Sequence, residues 1–192
     1  MIERIFKIGG SSMSIAKQFL SNCLKEFKGI KKLGDRSMDQ LNYKELHFQP
    51  SSESNSISII VKHLSGNMIS RWTDFLTTDG EKPWRDRDVE FEGIYQSKDE
   101  LLADWNKGWN VVFNTLESLH EEDVLKTIKI RGEDHTVLQA IHRQISHYGN
   151  HIGQIVYIAK LIKNDEFKSL SIPKGKSQEF LEYKLNETNK KS

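Results

Sequence analysis

The chain has a single cysteine, Cys23, among 192 residues. No internal disulfide can cross-link it, and a reducing, cytoplasmic setting is expected. It has no apolar run near the roughly 20 residues that span a bilayer, so no membrane partner is expected. The opening segment, Met1 to Gly10, interleaves Glu3, Arg4 and Lys7 with its apolar residues, unlike the unbroken stretch of a secretory leader. An excess of one charge is missing too: 28 Lys and Arg face 27 Asp and Glu, a net charge of +1. That balance offers no field for gripping a polyanion, so nucleic acid is not an expected partner. Proline is scarce, with only Pro50, Pro83 and Pro173, and no internal repeat or low-complexity tract breaks the chain. Long segments are therefore free of helix breakers.

What is present reads as helix. Nine Phe and four Trp argue for a packed interior, and 192 residues suit one domain with a sizeable core. Residues 12–33 carry Ile15, Phe19, Leu20, Leu24, Phe27 and Leu33 at helical spacing, with Gly34 as a stop signal. Residues 56–76 repeat the pattern through Ile57, Ile60, Leu64, Met68, Trp72 and Phe75. Residues 97–117 open on a Ser97/Glu100 capping box and continue through Leu101, Trp105, Trp109, Val112 and Leu116. Residues 135–162 place Val137, Ile141, Ile145, Tyr148, Ile152 and Val156 on one stripe, with a start at Asp134 or Thr136. Four amphipathic segments of about 20 residues predict an all-α fold, a four-helix bundle. Residues 125–130 and 131–134 alternate weakly, which suggests a small hairpin before the last long helix. The tail from Lys174 is polar, with a short helix at 177–185.

Two connections, 34–55 and 77–96, are each about 20 residues, long for a bundle and so candidate functional loops. The second clusters polar groups around one aromatic, Trp84, beside Arg85. Chemistry concentrates on histidine. His147 and His151 form an H-x-x-x-H pair, and residues four apart project from one face of a helix within a single turn. On a helical wheel the pair shares a sector with Gln144 and Ile158, beside the Ile141, Tyr148, Ile152 and Ile155 stripe. Ser146, Arg143, Asn150, His142 and Lys160 lie opposite. The pair therefore borders the buried side, where uncompensated imidazoles want a partner.

Alone, such a pair is more often structural than a metal site. Tyr148 follows His147, so this is not the H-E-x-x-H motif with its built-in base. A third core-side imidazole, His63, lies mid-helix in the second segment, and the three together are a candidate metal set with open coordination positions. His47, His120, His135 and His142 read as surface or packing residues. Cys23 reads as a small buried apolar residue. Gly175-Lys176-Ser177 lacks the earlier glycine and the strand of a phosphate loop. Arg71 with Asp74 reads as an ion pair as readily as a substrate contact.

One His on the second helix and H-x-x-x-H on the fourth, with the stretches Val61–Phe75, Asp79–Asp88 and His147–Ile155, resemble a bacterial branch of the DinB/YfiT-like family of metalloenzymes. The resemblance runs from the first helix to about Ile172. It implies an up-up-down-down bundle, a divalent ion (nickel, zinc or iron) on His63, His147 and His151, and homodimers. It further implies a thiol-dependent S-transferase or isomerase using a low-molecular-weight thiol such as bacillithiol or mycothiol. In that reading Asn67 and Arg71 are candidate catalytic residues that position an anionic substrate, and Trp84 and Arg85 close over it. The alternative is a non-enzymatic metal-binding stress or regulatory module. The Trp content and the apolar flanks of the first and third long helices also favour a homodimer.

Overall fold

The computed structural model describes residues 13–189. The segment in which no leader is expected, and Ser12 where the first helix is expected to begin, lie outside the described residues. The chain is mostly helical: α1 (Ile15–Met38), α2 (Tyr43–Leu46), α3 (Ile57–Trp72), α4 (Lys98–Ser118), α5 (Val137–Lys163) and α6 (Ser177–Asn189). A two-stranded antiparallel sheet, β1 (Thr127–Ile130) with β2 (Glu133–Thr136), precedes α5. Helix α1 packs on α4 and α5, and α3 packs on the same two, so the four long helices are a closed ring of neighbours around one core. Among the described residues no helix is long and apolar enough to cross a membrane.

Side-chain caps start the long helices. Ser14, Ser56, Ser97 and Thr136 each accept a hydrogen bond from the backbone N–H three residues on, covering a donor that has no partner within its helix. Thr136 and Gln139 complete a reciprocal box, which settles the start of α5 at Val137 and leaves Asp134 in β2. At α4 the expected box is half formed: Ser97 caps Glu100, but the Glu100 carboxylate accepts from the N–H of Gln96 instead.

Gly34 is no stop. It lies inside α1 and is buried, because Trp105 packs against it: a Cβ there would stand 2.8 Å from the indole. The missing side chain serves close approach between α1 and α4, and α1 runs on to Met38. Conversely α3 ends at Trp72, four residues short of the expected 76. Thr73 turns extended, and Asp74 enters the left-handed region at φ 48°. The hairpin is present, closed by Arg131 and Gly132 at φ 57° and 77°, as a two-residue turn with both central residues left-handed requires. The terminal helix extends past 185 to Asn189 with nothing buried along it.

The core contains Phe27, Trp72, Trp105, Trp109 and Tyr148, each essentially without exposure. Phe27 meets the Trp72 ring edge-on with centroids 5.6 Å apart. Three of the four tryptophans are therefore absorbed within the chain, which removes them as a reason to expect a dimer; Trp84 alone is exposed. The loop between α3 and α4 is pinned back onto the hairpin. Asp79 accepts from the backbone N–H of Glu81, Arg131 and Gly132, and Gly80 N–H donates to Lys129 O. Burial pushes the Asp79 carboxyl upward, but those N–H donors outweigh it and hold it below its ordinary value.

Candidate metal centre

Helix α3 presents His63 to α5, where His147 and His151 lie one turn apart. The wheel sectors stand: Gln144 and Ile158 are buried, and Ser146, Arg143, Asn150, His142 and Lys160 are exposed. His63 is buried, and His147 and His151 are half-buried. Their Nε2 atoms converge. His147 Nε2 is 3.4 Å from His63 Nε2 and 3.2 Å from His151 Nε2, and one nitrogen from each ring lies within 4.8 Å of the others.

The outer nitrogens fix what the inner ones can do. His63 Nδ1 lies 3.0 Å from Glu90 Oε2, and a carboxylate only accepts, so Nδ1 carries the proton. His151 Nδ1 likewise faces Gln154 Oε1 at 3.2 Å. In its neutral form each of these rings turns a bare Nε2 lone pair toward His147. A single proton on His147 Nε2 can satisfy one of them and leaves the other facing it unpaired. A cation between them satisfies all three. Two nitrogens at about 2.0–2.1 Å from one tetrahedral ion stand about 3.3 Å apart, which matches the two separations observed.

Electrostatics point the same way. Burial, then the charges of His151, His63, Arg85 and Arg71, push His147 down to about 3. His151 is lowered by burial and by His63, against the raising hydrogen bond of Gln154. Protons are therefore poor occupants of the space between the rings.

Glu90 is the residue that helical periodicity misses. It sits in a short 3-10 turn, Val89–Phe91, of the α3–α4 loop and is buried beside α3. Arg85 holds it through two bonds, Nε to Oε1 at 2.7 Å and Nη2 to Oε2 at 2.9 Å. Burial raises the Glu90 carboxyl, but the bonds from His63 and Arg85 outweigh it and keep it ionised. This carboxylate on the far nitrogen of a histidine orients the ring and raises its basicity toward a metal. The one sequence signal for it is Gly66 in the middle of α3. A Cβ there would lie 2.2 Å from Glu90 Oε1, so the glycine is the slot that admits the carboxylate. Phe91 stacks on the His63 ring, centroids 5.1 Å apart, and covers its outer face.

The other predicted site residues are placed differently. Asn67 is buried and accepts from the Tyr148 hydroxyl, which itself accepts from Trp72 Nε1, so Asn67 joins α3 to α5. Arg71 does not pair with Asp74. With α3 ending at Trp72 the three-residue helical spacing is lost, and Arg71 Nη2 reaches Glu81 Oε2 at 3.4 Å. Arg85 is no lid: its side chain is 2% exposed and serves Glu90 and Glu81. Trp84 is 58% exposed.

Residues 14–176 match the family described as Protein of unknown function (DUF1572), whose members are DinB-like. The chain belongs to the DUF1572 family. One solved structure similar to this DUF1572 protein is that of a conserved protein from Enterococcus faecalis, with a TM-score of 0.51 at 14% identity over 80% of this chain and 99% of that one. A likeness at that identity speaks for the fold alone. No curated protein matches the chain.

Proposed function

We propose that this DUF1572 protein is a divalent-metal-dependent enzyme in which His63, His147 and His151 hold the ion. The observation that carries the reading is the convergence of three Nε2 atoms, with Glu90 and Gln154 oxygens placed to accept from the opposite nitrogen of two of the rings. Imidazole donors suit zinc, nickel and iron. When bound, such an ion lowers the pKa of a thiol or water at its open positions. The chain's own residues hold that arrangement: Glu90 and Gln154 set the tautomers, Arg85 fixes Glu90, and Phe91 shields His63 from water.

Within this reading the reaction is a thiol-dependent S-transfer or isomerisation with a low-molecular-weight thiol as cosubstrate. The long helices run up-up-down-down, and the working form is an intracellular homodimer. Exposed Tyr157 and Leu161 on α5 support an apolar contact between copies. A second reading, a non-enzymatic metal-binding stress or regulatory module, is favoured by one observation. Glu90, the carboxylate bonded to the cluster, is committed on both oxygens and is not a free base.

The first test is elemental analysis of protein purified without chelator, for wild type, His147→Ala and His151→Ala. About one ion per chain in wild type and its loss in both variants is expected; full occupancy in both variants overturns the assignment. A screen of thiol plus electrophile, with and without chelation, then separates the two readings. Chelator-sensitive turnover supports the enzyme, and metal-loaded protein without turnover supports the module.

A further inference from the structure

Beside the histidines lies a second polar cluster, of which the metal-holding arrangement uses only the contact of Arg85 with Glu90. Arg71 and Arg85 bury their side chains to 4% and 2% exposure, and the two guanidinium groups flank one carboxylate, Glu81. Arg71 Nη2 stands 3.4 Å from Glu81 Oε2, and Arg85 Nη1 stands 3.6 Å from Glu81 Oε1. Both contacts are long for charge-assisted bonds, which favour about 2.7–2.9 Å. The shortest bond of the Glu81 carboxylate goes elsewhere, to Arg131 Nε at 3.0 Å on the hairpin turn. Meanwhile Arg71 Nε, Arg71 Nη1 and Arg85 Nη1 are buried with no hydrogen-bond acceptor among the described residues. Such orphans on a charged group are costly to bury, and a native site keeps them for a reason. The remaining acids nearby are already engaged: Asp79 on three backbone N–H groups, and Glu90 on His63 and Arg85.

Access is through Glu81. It is 26% exposed and already bonded to Arg131, itself 45% exposed, so the carboxylate can keep that bond, turn outward and leave the arginine pair open. The pair also borders the metal centre. Arg85 bonds Glu90, which bonds His63, and the charges of both arginines reach His147.

We infer that Arg71 and Arg85 form a carboxylate-binding subsite beside the histidine cluster, in which Glu81 stands in for the carboxylate of a small-molecule substrate. An entering carboxylate displaces Glu81 outward, where Arg131 still holds it, and takes the orphaned N–H groups of the two arginines. No covalent bond is made or broken in this exchange. The inference deepens the enzymatic reading by naming a substrate class, a carboxylic acid, and does not require the metal for its own binding step.

The test is calorimetric titration of metal-free protein with acetate, using acetamide as the neutral molecule of the same shape. Wild type is expected to bind acetate and not acetamide. Glu81→Gln, which removes the internal competitor's charge, is expected to bind acetate about tenfold more tightly, and Arg71→Gln about tenfold more weakly, the scale of one charge-assisted bond. Arg71→Lys keeps a charge but loses the planar fork, and covers the case in which the Gln variant does not fold; it is expected to weaken binding as well. Equal affinity for acetate and acetamide, or acetate affinity unmoved by Glu81→Gln and Arg71→Lys, overturns the subsite. Metal content of the same variants keeps the two readings apart. Normal loading without acetate discrimination fails the subsite alone, and acetate discrimination in protein that never takes up metal fails the metal reading alone.

Discussion

Glu90 and His63, 27 residues apart, meet with Oε2 3.0 Å from Nδ1, and that contact decides which nitrogen of His63 faces α5. Without the carboxylate the ring is free to carry its proton on either nitrogen. Glu90→Gln preserves the shape and removes the charge, leaving Arg85 only its longer contact with Glu81. Metal affinity is expected to fall about 10- to 100-fold, the usual effect of losing such a support. Competition titration against a chromogenic chelator measures it. Wild-type affinity in a well-folded variant would show that Glu90 does not orient the ligand.

Gly66 gives a prediction whose sign distinguishes packing from propensity. Glycine inside a helix costs about 1 kcal/mol relative to alanine, so Gly66→Ala on propensity alone stabilises. Here the new Cβ would fall 2.2 Å from Glu90 Oε1, and the carboxylate must leave its place between His63 and Arg85. Lower thermal stability and weaker metal binding are expected. In a Glu90→Ala background the same change meets no carboxylate and should raise the melting temperature. Stabilisation in both backgrounds would show that the slot is not needed.

The helices and the histidines were legible for one reason: both follow the 3.6-residue period. A wheel sets His147 and His151 at the border of the buried side of α5, and His63 joins them from a helix with the same pattern. Period says nothing about where a helix stops for tertiary reasons. Gly34 reads as a terminus because glycine commonly ends helices, whereas here it makes room for Trp105. An ion pair of Arg71 with Asp74, one of its two readings, needs α3 to continue past Trp72, and the carboxylate that Arg71 reaches, Glu81, lies across a loop. Glu90 lies in that loop too, where residue spacing encodes no direction.

Cys23 should behave as an interior residue. It is 4% exposed on α1, and burial, with a smaller contribution from the Glu26 charge, pushes its thiol up to about 11. Thiolate is the reactive form, so a disulfide reagent at pH 8 should label native protein slowly and denatured protein at once. The labelling rate should rise with denaturant in step with unfolding. Fast, complete labelling of the native chain would place Cys23 at the surface.

Acid should undo the metal centre in a direction that its surroundings determine. An unfolded histidine titrates near pH 6.5, while burial and then the neighbouring His151, His63, Arg85 and Arg71 charges push His147 down to about 3. The folded state therefore binds its proton more weakly than the unfolded state does. Above the unfolded value the two states carry the same charge at this site, and its effect on stability is nil. As pH falls below about 6.5 the unfolded chain gains a proton that the folded chain refuses, so stability is lost until pH nears the folded value. His151, shifted the same way by burial and by His63, adds to the slope. Bound metal needs the same neutral rings, so metal affinity should fall over the same range and more steeply, with several protons replacing one ion. Urea midpoints of metal-free protein and metal affinity, each followed from pH 8 to pH 4, measure the two effects. His147→Phe should flatten much of the stability slope, whereas His142→Gln, on the exposed side of α5, should leave both curves unchanged. A slope carried by His142 instead would place the opposite face of α5 inward.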